Sequence, residues 1–157
     1  MKKIEEMYHG MDIDWFAIDV DQNIALFASG GGILPATILE LEEAIYHEVI
    51  KFMRALPEIA DNNIWINQNI DVIKSLQTVE QRNRYLEDYV FMAKKGLIVF
   101  DKTVLMAEMD YKYHLVALPA IKLDYQDLPE SILNIVSRTR SQSSLSGKDF
   151  FFTNEIL

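Results

Sequence analysis

The chain has 157 residues, half of them hydrophobic and a quarter charged, with a formal net charge of −9 and no cysteine. That is the size and composition of one globular domain that buries about 70% of its unfolded surface without covalent staples. It excludes disulfides and thiolate zinc sites, and no stretch approaches the roughly 18 apolar residues of a membrane span.

The first segment, MKKIEEMYHGMDIDW, carries two lysines but not the apolar core that a secretory signal needs, so a cytoplasmic location is expected. Trp15 to Val20 and Ile24 to Ala28 then read as two strands around Asp21-Gln22-Asn23. A three-residue turn with Asn23 in the left-handed position would join them. Phe16, Ile18 and Val20 share one face; Trp15, Ala17 and Asp19 share the other. Apolar groups on both faces predict cover on both sides.

Gly30-Gly31-Gly32 follows, then Pro35 and the capping-box pattern Thr37 to Glu40. The pattern predicts a helix to about Leu56, stopped by Pro57, with Ile38, Leu41, Ile45, Val49, Phe52 and Leu56 as its buried stripe. Glu40, Glu43, His47, Lys51 and Arg54 take the other side. A second box at Thr78 to Gln81 predicts a helix ending at Lys94-Lys95-Gly96, with Val79, Leu86, Tyr89, Val90 and Ala93 inward.

Leu97 to Phe100 reads as a buried strand and Tyr111 to Ala117 as an alternating one. A third helix is predicted from Pro129 to Arg138, capped by Asp127 or Leu128. The Ser-rich loop Ser141 to Gly147 precedes a last apolar strand, KDFFFTNEI. Residues 57–77 and 101–110 give no clear pattern. Strands and helices come in groups and do not alternate singly. The expected fold is therefore α+β over 1–157, an antiparallel or mixed sheet packed against two or three helices.

Several chemistries fail on spacing. Asp19-x-Asp21-x-Asn23 opens like a calcium loop, but Ile24 stands where that loop needs glycine and Gly30 where it needs glutamate. The three glycines lack the Lys-Ser/Thr of a phosphate loop and the spacing of a dinucleotide fingerprint, and Pro35 removes an amide. His9, His47 and His114 lie in separate segments with no metal-binding pair. No serine sits in a nucleophile elbow. No metal or cofactor is expected. The tyrosines Tyr85, Tyr89, Tyr111 and Tyr113 suit a half-buried core better than a binding face.

Charge is the informative asymmetry. Residues 1–61 hold 12 acidic and 4 basic residues; residues 62–157 hold 12 and 11. An acidic half disfavours nucleic acid and suits a basic protein partner.

Four separated blocks add a resemblance: DWFAIDVDQNIALFASGGG at 14–32, AKKGLIVFD at 93–101, YHLVALP at 113–119 and DLP at 127–129. Together they resemble a family of small, uncharacterised bacterial proteins, some of whose members look like immunity proteins that neutralise a toxin. Asn23 departs from the glycine of that pattern but supplies the same turn. The resemblance implies a protein partner and carries no catalytic residue.

The expected function is thus a non-enzymatic acidic protein-binding domain, facing a basic toxin domain through Asp12, Asp14, Asp19 and Asp21 near the hairpin and Glu40, Glu42 and Glu43 near the first long helix. The alternative is a small ligand-binding domain or hydrolase, with a pocket near Gly30–Gly32 lined by Trp15 and a tyrosine.

Overall fold

A computed structural model describes residues 1–8, 10–105 and 110–156. His9 and part of the unpatterned 101–110 stretch lie outside the described residues. The chain opens with a single turn, α1 (Ile4–Met7), and the expected hairpin, β1 (Asp14–Ile18) and β2 (Ile24–Ala28). These strands pair antiparallel from Asp14↔Ala28 to Ile18↔Ile24. Asp19 donates its amide to the Asn23 carbonyl, closing the turn. The left-handed residue there is Gln22, with φ 67°, and not Asn23.

The long helix expected from Thr37 is split in two: α2 (Ala36–Leu39) and α3 (Glu43–Arg54). The capping box does not form. Thr37 instead shares a hydrogen bond with the Thr139 hydroxyl at 2.6 Å. The cause lies at the N-terminus. Ile4 donates its amide to the Leu41 carbonyl, and Glu43 donates to Lys2. That pairing holds Glu42 extended, so the second helix starts only at Glu43. Its inward stripe shifts accordingly to Tyr46, Val49 and Met53.

Residues 57–77 contain β3 (Ile64–Ile66) and α4 (Ile70–Ile73). The helix predicted from Thr78 is α5 (Val79–Ala93). The Thr78 hydroxyl accepts from the Gln81 amide as expected, while the Gln81 side chain reaches past the cap to the Gln77 amide. Val79 is exposed rather than inward. Gly96 stops the helix at φ +90°, where a Cβ would stand 2.3 Å from the Leu123 amide nitrogen.

The remaining elements are β4 (Ile98–Lys102), β5 (Lys112–Pro119), α6 (Glu130–Val136) and β6 (Phe150–Phe152). Pro129 is itself the cap of α6, after a 3₁₀ turn at Tyr125–Asp127.

The strands form one mixed sheet in the order β1-β2-β4-β5-β3, with β6 also on β5. β2 and β4 run parallel. β3 and β6 share the far edge of β5 at opposite ends. Asn67 fills the gap between them: its amide donates to the Val116 carbonyl and its side chain to Leu115. The other edge, β1, is bridged at one end: Ile18 donates its amide to the Thr139 carbonyl and accepts the Ser141 amide.

Both faces of the sheet in this α+β fold are packed. One packs Phe16, Ile18, Leu26, Val99 and Val116 against α3, α5 and α6. The other holds an aromatic stack: Trp15 lies on Phe27 at 4.1 Å, and Phe27 on Phe100 at 5.1 Å. The Trp15 indole donates to the Tyr113 hydroxyl at 3.2 Å. Among the described residues no helix is long and apolar enough to cross a membrane.

Candidate functional site

The seven acidic candidates fall into three different settings. Asp19 is buried, 1% exposed. One carboxylate oxygen accepts the amides of Asp21 and Asn23, both at 2.9 Å, and the other accepts Leu145 at 2.8 Å. It builds the turn and ties the C-terminal loop to it, leaving no surface for a partner. Asp21 is exposed at that same turn, one strand length from Asp12 and Asp14. Asp12 is exposed and accepts the Gly30 amide at 2.9 Å; Asp14 is partly buried beside it. Glu40 is exposed at the end of α2, while Glu42 and Glu43 are partly exposed where α3 begins. Glu42 bridges to Lys3 through the backbone, and Glu43 faces His47 at 3.5 Å.

The glycine turn is filled from below. The Gly30 amide is taken by Asp12, and the Gly32 amide by the Ser29 carbonyl at 2.8 Å. A Cβ on Gly32 would stand 2.7 Å from Lys102 Cε, and one on Gly30 would meet Lys102 and Leu105. The glycines thus let the Lys102 stem pass under the backbone. Lys102 is fully buried; its ammonium donates to the Val104 carbonyl at 3.1 Å and sits 3.5 Å from Asp110. Trp15 and Tyr46 do line a cavity, but it faces α2 and α3 and measures about 20 Å³. That is room for about one water.

A polar row, invisible in the sequence, runs across the helix-covered face. Register places Asp14 opposite Ala28, Ala28 opposite Asp101, and Asp101 opposite His114. Strand alternation turns all four toward α5. The row lies at the carboxyl ends of the parallel pair β2 and β4, where open sheets with parallel strands commonly take ligands.

From α5, the Tyr85 hydroxyl lies 2.5 Å from Asp101 Oδ2 and 3.0 Å from His114 Nε2. The Thr103 hydroxyl lies 3.1 Å from His114 Nδ1. A hydroxyl has one proton, so with Asp101 ionised the connected arrangement runs one way. Thr103 donates to Nδ1, His114 donates from Nε2 to Tyr85, and Tyr85 donates to Asp101. Lys74, reaching in from the end of α4, stands 3.6 Å from Asp101.

Burial sets the protonation states. It drives His114 down to about 3, with Lys74 and Lys112 adding to the effect, so the imidazole is neutral. It pushes Asp101 up, against the Tyr85 hydrogen bond and the Lys74 charge. The Tyr85 and Tyr89 phenols are raised by burial and by Asp101, and remain protonated. Asp14 is pushed up to about 7 by burial first, then by Asp12, Asp88 and Asp101, with Arg54 opposing. Arg54 itself is clamped by Asp88 at 2.8 and 3.3 Å.

Asp101, Lys102, Lys74 and Thr103 escape a reading of the sequence alone. The one signal was an Asp-Lys pair following an apolar strand with no turn residue between. No protein-family model matches the chain, and no curated protein or solved structure matches it.

Proposed function

We propose that this chain is a non-enzymatic, acidic protein-binding domain that acts in the cytoplasm as an immunity protein, covering a basic surface of a toxin. The observation that carries the reading is where the charge collects. Segments 1–14 and 40–48 are tied together by the Ile4–Leu41 and Glu43–Lys2 bonds. They hold eight carboxylates against two lysines, a formal −6 of the chain's −9. Such a field raises the rate of encounter with a basic partner and orients it. The four-block resemblance to immunity-like bacterial proteins is the second support.

The test is to capture the partner from the source cells and follow its association at low and high salt. Glu40→Lys with Glu42→Lys is expected to slow association about tenfold and leave dissociation nearly unchanged. Association that ignores both salt and these changes removes the electrostatic reading.

One observation favours a second reading, a small-ligand domain or hydrolase: the Asp14–Asp101–His114 row with Tyr85 at the end of the parallel pair, one residue from the Gly30 turn. Groups with shifted protonation in one cluster mark functional sites. A thermal-shift screen against sugars, nucleotides and amino acids separates the readings. A hit that Tyr85→Phe abolishes supports the second; a partner that binds Tyr85→Phe as it binds the parent supports the first.

A further inference from the structure

The acidic end of the molecule also carries an apolar groove. Ile4, Met7 and Tyr8 from α1 and the residues after it, Met11 and Ile13 before β1, and Tyr46 from α3 enclose about 70 Å³. That is several times the space one water needs. Met11 is 57% exposed at its mouth. Methionine side chains are flexible and polarisable, and they adapt to varied apolar partners.

The rim is charged. Glu5 and Glu6 are exposed on the outer side of α1, Asp12 sits exposed between Met11 and Ile13, and Glu43 pairs with His47, which completes the wall. Among the described residues the lysines of this end are Lys2 and Lys3, whose backbones pair with Glu42 and Glu43, and the carboxylates outnumber them. An apolar slot with carboxylates on its rim selects a cationic segment that carries an apolar anchor. It repels an anionic membrane surface.

We infer that this groove is the docking site for one apolar side chain of a basic segment on the partner protein, with Met7, Met11 and Ile13 holding the anchor and Glu5, Glu6 and Asp12 facing the flanking cations. The inference rests on the protein-binding reading and gives it a location. The acidic field brings the partner in, and the slot sets how long it stays, since buried apolar anchors mainly govern dissociation.

The test titrates two synthetic peptides into the full chain carrying ¹³C-labelled methionine and isoleucine methyls. One alternates lysine with leucine; the other has serine for every leucine and the same charge. The leucine peptide is expected to shift the methyl signals of Met7, Met11 and Ile13 and to bind about tenfold tighter than the serine peptide. Met11→Asp should remove that advantage and Met11→Leu should keep it. Because Met11 is exposed, both variants are expected to fold; unchanged methyl spectra away from the groove verify it.

Equal binding of the two peptides, or shifts confined to other methyls, overturns the groove. If salt still weakens the captured partner while Met11→Asp leaves its dissociation rate unchanged, the groove fails and the acidic reading stands. If the leucine peptide fills the groove but the captured partner ignores salt, the electrostatic reading fails and the groove stands.

Discussion

Replacing Asp19 with Ala is expected to cost about 4 kcal/mol of folding stability, because hydrogen bonds to a charged group contribute about 1.5–3 kcal/mol each. Asp19 accepts three backbone amides on two oxygens. Those of Asp21 and Asn23 lie in an exposed turn and can regain water. That of Leu145 belongs to a fully buried residue and cannot. The loss should therefore appear in two places distant in sequence. Hydrogen exchange should speed up at Asn23 and at Leu145 together, while the β2–β4 ladder stays protected. Asp19→Asn keeps one accepting oxygen but turns an NH₂ toward a donor, so about half the loss remains. The measurement is urea unfolding of the three proteins side by side. A loss below about 1 kcal/mol for the Ala variant would mean that the carboxylate is spare, and a ligand role for Asp19 would reopen.

Asp19 also shows where sequence reading succeeds and where it stops. Alternation put it on the face of Trp15 and Ala17, and that face is buried. The signal for a structural carboxylate was there, but loop aspartates at short spacing look alike until their burial is known. The hairpin was legible because two short apolar runs flank Asp21-Gln22-Asn23, a turn sequence. Helix α5 was legible because a threonine cap and a glycine stop bracket it. At Thr37 an equally good local pattern lost to tertiary structure: two backbone bonds from residues near the N-terminus override it. β3 has three residues and exists through its pairing with Leu118 and its neighbours on β5. No local period can announce it. The polar row is the extreme case. Asp14, Asp101 and His114 are strangers in sequence, and only strand order aligns them. The half of the chain that carries the acidic charge could be counted from the sequence. The segments that gather it on one end needed the contact between residues 1–14 and 40–48.

Asp14→Asn is expected to stabilise the protein by about 4 kcal/mol at pH 8 and to change little at pH 3.5, each pKa unit being worth about 1.4 kcal/mol. In the unfolded chain Asp14 gives up its proton near 3.8; in the fold it holds it to about 7, chiefly through burial. Below the lower value both states are protonated and the group contributes no difference. Between the two values the unfolded state has released the proton and the folded state has not. Folding is then opposed more strongly as pH rises, until the folded group ionises too and the penalty is complete. His114 works the other way. Its folded value of about 3 lies below the ordinary 6.5, so the unfolded state takes up a proton first and stability falls as pH falls through that window. The two slopes overlap and oppose, so the parent's own profile does not isolate either group. The difference between parent and Asp14→Asn does, and it should grow between pH 4 and 7 and level off above. A difference that is flat with pH removes this account of Asp14.

The sign matters for function, because a carboxylate that weakens the fold is of the kind retained for a task. Asp12, Asp88 and Asp101 all disfavour its charge, and Arg54 alone opposes them from α3. On the protein-binding reading, a partner cation brought against Asp14 relieves that repulsion and favours the ionised form. Linkage then requires binding to tighten as pH rises through 7. In Asp14→Asn that pH dependence should be lost, while the dependence on salt, which comes from the other carboxylates, should persist.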